Sequence, residues 1–340
     1  MEEALLWEPL EGKKVRCNLC NFRCIIPEGK AGNCKVRVNK EGKLYTLLNS
    51  YVSSYALDPI EKKPVFHYYP GSGVLSFGTW GCNFRCRGCQ NYEISRIKEP
   101  NFDFSLISSE IPPEEAVNLA LRYKAKGIAW TYNEPTIWFE YTYKTAQLAK
   151  KSGLYTVYVT NGSITKEGLD VIGPYLDVFR VDIKAFSQET YNKITPIFDF
   201  RKILESVIYA KERWNMHIEV VTNIIPTIND KLDELRALAR WIRDNLGRKT
   251  PWHVTRFYPY LDLAYLYPTP VETLETVREM AMNEGLNFVY IGNVPGHPYE
   301  DTYCPKCKRR VIRRSGFDIV ENHTHNGKCD FCGEDLGIVE

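Results

Sequence analysis

The sequence predicts an α/β protein with a parallel sheet, carrying a small cysteine-rich appendage at each end. Three observations support this. From about residue 73 to 293, short apolar strand-like runs alternate with longer helical patterns, the order that puts helices outside a parallel sheet. The 11 cysteines fall into three groups with none left over: Cys17, Cys20, Cys24 and Cys34; Cys82, Cys86 and Cys89; and Cys304, Cys307, Cys329 and Cys332. Several strand-like runs end in polar residues, where a purely structural strand would stay apolar.

Residues 1–72 hold the first cysteine group. A hairpin follows, turning at Lys40-Glu41-Gly42 between Val36-Arg37-Val38 and Leu44-Tyr45-Thr46-Leu47. Strand candidates then lie at 74–79, 127–131, 156–160, 178–184, 218–225 and 253–258. Helical patterns occupy 113–126, 138–152, 166–173, 203–214, 231–246 and 271–284, and a terminal strand follows at 287–291. Ile111-Pro112-Pro113-Glu114-Glu115 and Asn229-Asp230 suit helix starts, which favour proline and acidic residues. Six βα units suit a partial barrel, and an open doubly wound sheet fits the same periodicity. Residues 294–340 form a tail with the third cysteine group.

The formal net charge is +2, so no global attraction to polyanions is expected. No apolar run approaches the roughly 18 residues of a spanning helix. The start, Met1-Glu2-Glu3-Ala4-Leu5-Leu6-Trp7-Glu8, lacks a signal-peptide pattern. A cytoplasmic protein without a membrane partner is expected, and clustered cysteines there point to metal rather than disulfides.

The run Gly81-Cys82-Asn83-Phe84-Arg85-Cys86-Arg87-Gly88-Cys89-Gln90-Asn91 spaces three cysteines as C-x3-C-x2-C, with no fourth nearby. A 4Fe–4S cluster normally takes four thiolates. Three leave one iron open, and an open position lets a cosubstrate join the metal. With this spacing the expected occupant is S-adenosylmethionine (SAM), held through its amino and carboxylate groups. One electron from the cluster would break its C–S bond and give a 5'-deoxyadenosyl radical that abstracts hydrogen. The competing reading is a zinc site with a distant fourth ligand. The loop directly follows strand 74–79, at the strand end where barrel enzymes keep their chemistry.

This loop resembles the signature of the radical SAM superfamily. The lead-in Asp58-Pro59-Ile60-Glu61-Lys62-Lys63-Pro64-Val65-Phe66-His67-Tyr68-Tyr69-Pro70-Gly71 resembles relatives of pyruvate formate-lyase activating enzyme. Within that branch the chain is most similar to the AmmeMemoRadiSam-type radical SAM enzymes, over nearly its whole length. The resemblance implies a partial (β/α)6 TIM-like barrel at 73–293, an N-terminal four-cysteine metal-binding region at 1–72 and a zinc-ribbon-like domain at 294–340. It also implies an electron donor such as a ferredoxin or flavodoxin, and Memo-type and AMMECR-type proteins as partners. One position departs from the pattern: the residue before the third cysteine is usually an aromatic near the adenine, and here it is Gly88.

The polar strand ends are Thr131-Tyr132-Asn133-Glu134-Pro135, Thr160-Asn161-Gly162, Asp182-Ile183-Lys184, Thr222-Asn223 and Arg256. On parallel strands they would gather on one face, where SAM needs acceptors for its ammonium, a cation for its carboxylate and partners for its ribose. The resemblance assigns Asn133 and Glu134 to the amino end, in place of a Gly-Gly-Glu-like motif whose glycines are missing here. It assigns Lys184, with Asp182, to the carboxylate, as in an Asp-x-Lys motif. Thr160 and Asn161 match a Thr-Asn-Gly motif, with Val159 where relatives carry an aspartate that serves a monovalent cation. Asn223 and Arg256 complete the expected cofactor-binding set. Each segment also has a plain structural reading: a strand-end ion pair for Asp182 and Lys184, a turn for Asn161-Gly162, and a helix cap for Asn133-Glu134-Pro135.

The C-terminal cysteines form two C-x2-C knuckles 21 residues apart, a zinc-ribbon spacing with a closed tetrahedral site. A rubredoxin-like iron would use the same ligands, and His323 and His325 are expected bystanders. The N-terminal C-x2-C-x3-C-x9-C group suits zinc, the favoured reading, or an auxiliary iron–sulfur cluster. The tail is basic through Lys306, Lys308, Arg309, Arg310, Arg313 and Arg314, a face for RNA or acidic protein, or only a solvated surface. The expected function is radical SAM chemistry on a substrate that the sequence does not identify; the resemblance to the activating enzymes suggests a protein glycine, with a nucleic acid or small metabolite as the alternative. A non-catalytic electron-transfer or scaffold protein would explain the cysteines but not the polar strand ends.

Overall fold

The computed structural model describes residues 1–97 and 103–340. They divide into two compact units: Met1–Asp58, Gly73–Phe179 and Thr195–Met216 in the first, and Pro59–Ser72, Arg180–Ile194 and His217–Glu340 in the second. The alternating region contains the strands β1 (Gly73–Gly78), β2 (Gly127–Trp130), β3 (Tyr155–Thr160), β4 (Val178–Asp182), β5 (His217–Ile224), β6 (Trp252–Arg256) and β7 (Val289–Gly292).

In the first unit β2 pairs in parallel with β1 and β3, Gly127 lying opposite Val74 and Tyr155. All four residues of β2, and β1 from Val74 onward, are buried. Strands covered on both faces read as continuous apolar runs, which is why they are visible in the sequence. Helix Pro113–Arg122 opens with proline, Glu114 and Glu115, and buries Ala116, Val117 and Ala120. It stops short of residue 126 because Lys124 takes φ +54°. Helix Phe139–Lys151 follows β2, and helices Lys166–Ile172 and Arg201–Trp214 complete the unit. Strand Ser54–Pro59 lies beside β1. It is mostly exposed and ends in proline, so no apolar alternation announces it.

The N-terminal hairpin pairs Arg37–Lys40 with Lys43–Thr46, Val38 opposite Tyr45. Glu41 (φ +55°) and Gly42 (φ +81°) form its two-residue turn, the double positive φ that suits the twist of a tight hairpin. A second antiparallel sheet, of Trp7–Leu10, Lys14–Cys17 and Ile25–Ile26, carries Cys17.

In the second unit β6 pairs in parallel with β5 and β7, Trp252 lying opposite Val220 and Val289. The end of β4 joins β5 through Ile183 N donating to Val221 O at 3.0 Å. β4 and β6 end two residues before the expected limits, and the amides of Lys184 and Phe257 leave the ladder. Lys184 N donates to Tyr191 Oη at 3.0 Å, and Phe257 N to Thr269 Oγ1 at 2.9 Å. The helix expected from 231 starts at Leu232 and, after Trp241, runs on as one wider turn over Ile242–Leu246. Asn229 and Asp230 instead close the preceding turn, accepting from Ile225 N (2.6 Å) and Thr227 N (2.9 Å). A short helix, Gln188–Ile194, follows β4 and is not apparent in the sequence. Near the C-terminus, Arg310–Ser315 and Asp318–Asn322 form a hairpin. Its Val311 and Ile312 share a buried cluster with Phe66, Phe288, Tyr290 and Leu336.

A buried carboxylate organises this unit. Glu219 Oε1 accepts from Phe66 N (2.8 Å), His67 N (2.7 Å) and His217 Nε2 (3.0 Å), and Oε2 from His253 Nε2 (2.6 Å). Burial alone would raise its pKa, but the histidine bonds hold it well below the usual range. Burial pushes His67 down to about 3 and lowers His253 from 6.5. The unfolded chain therefore binds protons that the folded imidazoles exclude. Stability should be full above pH 6.5 and fall on acidification toward about pH 3, by up to about 1.4 kcal/mol per pH unit for each histidine. A denaturation series at pH 7, 6, 5 and 4 checks this, and constant stability from 7 to 5 would contradict neutral buried imidazoles. Glu219→Ala should cost about 3 kcal/mol or more, since it strands two amides and two imidazoles.

Candidate functional site

The three-cysteine loop leaves the C-terminal end of β1. Gly81 turns it at φ +87°; a Cβ there would sit 2.9 Å from Val36 Cγ1 and 3.1 Å from Cys34 O. Asn133, from the loop after β2, clamps the same turn: its Oδ1 accepts from Thr79 N (3.4 Å) and its Nδ2 donates to Gly81 O (2.7 Å). Asn91 Nδ2 donates to Tyr132 O at 2.6 Å, and Tyr132 Oη to Asp58 Oδ2 at 2.9 Å. Polar groups face the sulfurs: Phe84 N donates to Cys82 Sγ at 3.4 Å, and Ser95 Oγ lies 3.3 Å from Cys89 Sγ. Arg96 Nη2 donates to Cys86 O at 2.7 Å.

Behind the loop lies a buried network at the ends of β2 and β3. Glu134 is 1% exposed. Its Oε1 accepts from Thr136 N (2.9 Å) and Thr160 Oγ1 (2.7 Å), and its Oε2 from Asn161 N (2.7 Å). Asn161 Nδ2 donates to Asn83 Oδ1 (2.9 Å), and Asn83 Nδ2 donates to Ser163 Oγ (2.6 Å). Asn133, Glu134, Thr160 and Asn161 are thus brought together around the cysteine loop, with Asn83 as the link. Sequence reasoning missed Asn83, which stands at an unconstrained position inside the cysteine motif. Burial, then Glu134, pushes the Cys82 thiol well up, so a bare thiolate is disfavoured and a positive iron centre would offset its charge. Among the described residues the loop's sulfurs are not gathered within 4.8 Å. Three cysteines on one loop, with an amide and a hydroxyl facing their sulfurs, fit a 4Fe–4S cluster.

The remaining expected cofactor residues belong to the second unit. Asp182 Oδ1 accepts from Arg180 Nη1 at 2.5 Å and Oδ2 from Lys184 Nζ at 3.1 Å. Burial opposes ionisation of Asp182, yet Arg180 and Lys184 bring its pKa below the usual value. Arg180 was readable: Arg180-x-Asp182-x-Lys184 puts all three on one strand face. Asn223 Nδ2 donates to Thr255 Oγ1 and Arg256 O, both at 3.0 Å. Arg256 Nε donates to Thr269 O at 2.8 Å, leaving its outer nitrogens beyond that bond.

Cys304, Cys307, Cys329 and Cys332 gather within 4.8 Å of one another, with Cys304 to Cys332 at 3.6 Å and Cys307 to Cys329 at 3.8 Å. A tetrahedral ion with metal–sulfur bonds near 2.3 Å needs sulfur separations of ~3.8 Å, so this set fits one tetrahedral metal. Cys17, Cys20, Cys24 and Cys34 line a single cavity. The basic tail is less of a face than its sequence suggests. Arg314 is 5% exposed and stacks 4.0 Å over Phe66, while Arg313 and Arg310 pair with Glu321 at 2.7 and 3.6 Å.

Residues 78–242 match the radical SAM superfamily. The chain is 42% identical over 341 residues to an uncharacterized protein of Methanocaldococcus jannaschii, covering 100% of both. It is 24% identical over 246 residues to a pyruvate formate-lyase-activating enzyme of Staphylococcus epidermidis, covering 66% of this chain and 92% of the relative. In fold it resembles SuiB of Streptococcus suis, a structure with S-adenosylmethionine bound, at TM-score 0.51 and 10% identity over 72% of this chain and 56% of that one. A parallel α/β sheet with a three-cysteine loop at a strand end defines the class. The chain belongs to the radical SAM superfamily and is a distant relative of the pyruvate formate-lyase-activating enzymes. Membership implies a 4Fe–4S cluster and SAM. Among the described residues, no helix is long and apolar enough to cross a membrane.

Gly81→Ala should drive a Cβ into Val36 and the Cys34 carbonyl, costing about 1–3 kcal/mol in this strained turn. Iron incorporation should fall while metal at the C-terminal cysteines is retained. Full iron loading would show that the turn tolerates the change.

Proposed function

We propose that this chain is a radical SAM enzyme of the activating-enzyme type, acting on a glycine of a protein partner. The observation that carries the reading is the loop of Cys82, Cys86 and Cys89 at the C-terminal end of β1, clamped by Asn133 and backed by the Glu134 network. A bound cluster and SAM would supply radical hydrogen-abstraction chemistry. The chain's own residues bind and orient. Cys82, Cys86 and Cys89 would hold the cluster, and three protein ligands would leave a position open to SAM. Thr136 N, Thr160 Oγ1 and Asn161 N take three of the roughly four acceptor positions of Glu134, so one would remain for the SAM ammonium, with Asn133 beside it. Lys184, oriented by Asp182, serves the SAM carboxylate. Thr160, Asn161, Asn223 and Arg256 serve the rest of the cofactor.

The protein-glycine substrate is supported by the likeness to pyruvate formate-lyase-activating enzymes. Arg314 of the basic tail is buried and Arg310 and Arg313 share Glu321, which weakens the support that the tail gives a nucleic-acid substrate. We further place the chain with the AmmeMemoRadiSam-type enzymes, on its 58–71 lead-in and its cysteine groups at both ends. That placement brings a partial barrel over 73–293 between regions 1–72 and 294–340, Memo-type and AMMECR-type partners, a ferredoxin or flavodoxin as electron donor, and a cytoplasmic location. Zinc is our assignment for the C-terminal tetrahedron.

Anaerobically reconstituted protein, reduced with dithionite and given SAM, should form 5'-deoxyadenosine. Cys86→Ala should abolish both this product and the cluster's EPR signal while the C-terminal metal stays bound. Wild-type turnover by that variant would sink the assignment, and a fully loaded wild type that never consumes SAM would favour an electron carrier. Lys184→Ala should weaken SAM binding by roughly 10- to 100-fold, the worth of a charge-assisted hydrogen bond, with the cluster retained. Unchanged affinity would remove Lys184 from the site.

A further inference from the structure

The two four-cysteine groups differ in geometry. The C-terminal sulfurs stand at 3.6 and 3.8 Å across their pairs, the separations of a single tetrahedral ion. The N-terminal sulfurs surround a common cavity, yet among the described residues no three of them come within 4.8 Å of one another. The three thiolates of the radical SAM loop likewise do not all gather within 4.8 Å. The C-terminal set is gathered as one ion requires, and the N-terminal set is not.

The cavity carries a second mark. Arg37, 1% exposed, forms part of its wall. One end of the guanidinium pairs with Glu140 Oε1 at 3.1 Å, and Nη2 donates to Leu5 O. Its Nε–H is buried and has no hydrogen-bond partner. An orphaned cationic donor in an apolar wall of Leu19, Ile26 and Ile137 calls for an anionic acceptor in the cavity. Inorganic sulfide and cluster-bound thiolate are such acceptors, and hydrogen bonds to cluster sulfurs are a usual part of these sites. An amide already faces one thiol: Asn33 N donates to Cys24 Sγ at 3.5 Å.

We propose that Cys17, Cys20, Cys24 and Cys34 hold a second 4Fe–4S cluster, fully ligated by protein and with Arg37 Nε–H donating to one of its sulfurs. This replaces zinc as the reading for the N-terminal set. The site adjoins the radical SAM loop within the same unit. Asn83, next to Cys82, lines the cavity, and Asn33 Nδ2 donates to Asn83 O at 2.7 Å.

The test uses the full chain, reconstituted anaerobically with iron and sulfide and assayed for iron, sulfide and zinc. Wild type should hold about eight irons, in two clusters, and about one zinc. The Cys82→Ala, Cys86→Ala, Cys89→Ala triple variant should keep about four irons and about four sulfides, with a reduced 4Fe–4S EPR signal that SAM does not perturb. The Cys20→Ala, Cys34→Ala double variant should lose about half the wild-type iron. A wild type with about four irons and about two zincs overturns the proposal whatever the variants do, as does a triple variant devoid of iron. Formation of 5'-deoxyadenosine by a wild type with only about four irons would overturn this site and leave the activity reading standing.

Discussion

The first unit depends on keeping a loop of thiolates open without letting it wander. On the proposed assignment, thiolates that would each meet a different iron could not be packed together by apolar side chains, since that would close the site. The chain solves this with a buried hydrogen-bond lattice. Glu134 takes donors from its own loop and from the end of β3, Asn161 passes the connection to Asn83, and Asn83 lies within the cysteine motif. A buried polar group left unpaired costs about 1–3 kcal/mol, so displacing the loop would orphan several groups at once. Directional bonds thus fix the geometry where packing alone would have to fill the space.

Glu219 plays the corresponding part in the second unit, with different partners. Two backbone amides from Phe66 and His67 and two imidazoles converge on it, so the 59–72 segment is tied to the base of β5 by charge-assisted bonds. The further chain His67, Tyr290, Thr302 and Arg314 continues toward the C-terminal hairpin at 2.6, 3.0 and 2.8 Å. Glu219 sits near the start of β5, the strand end that parallel α/β proteins use for stability.

Much of this was legible in the sequence because it rests on local signals. The βα alternation appears as apolar runs long enough to be buried on both faces, and the hairpin at Glu41-Gly42 as turn chemistry. The cysteine loop and the C-terminal knuckles appear as spacing. Ser54–Pro59 was not legible, being an exposed edge strand without alternation. At the early ends of β4 and β6 the amides bond Tyr191 and Thr269, partners outside the strands. Asn83, Arg37 and Glu219 were hidden for a related reason: each is one polar residue in an ordinary-looking segment, and its role exists only once the chain has folded around it. Arg180 is the exception, since its spacing from Asp182 and Lys184 announced a shared strand face.

Charge in the tail shows how burial overrides composition. Six cations in the 306–314 stretch read as an electrostatic surface when written as a line. In the fold, Arg314 lies over the Phe66 ring, donates to Thr302 Oγ1 at 2.8 Å and sits 3.9 Å from the buried Glu61. Burial raises Glu61 to about 7 despite that neighbour, so the pair is only partly compensated. Breaking it by removing one partner would strand the other. Arg310 and Arg313 share Glu321 across the hairpin, which leaves the lysines and Arg309 as the cations nearest to solvent. Arg309 itself stacks 5.0 Å from the Phe331 ring, beside the metal knuckle. Burial thus removes Arg314 from the surface that the composition suggests, while the other five cations stay exposed.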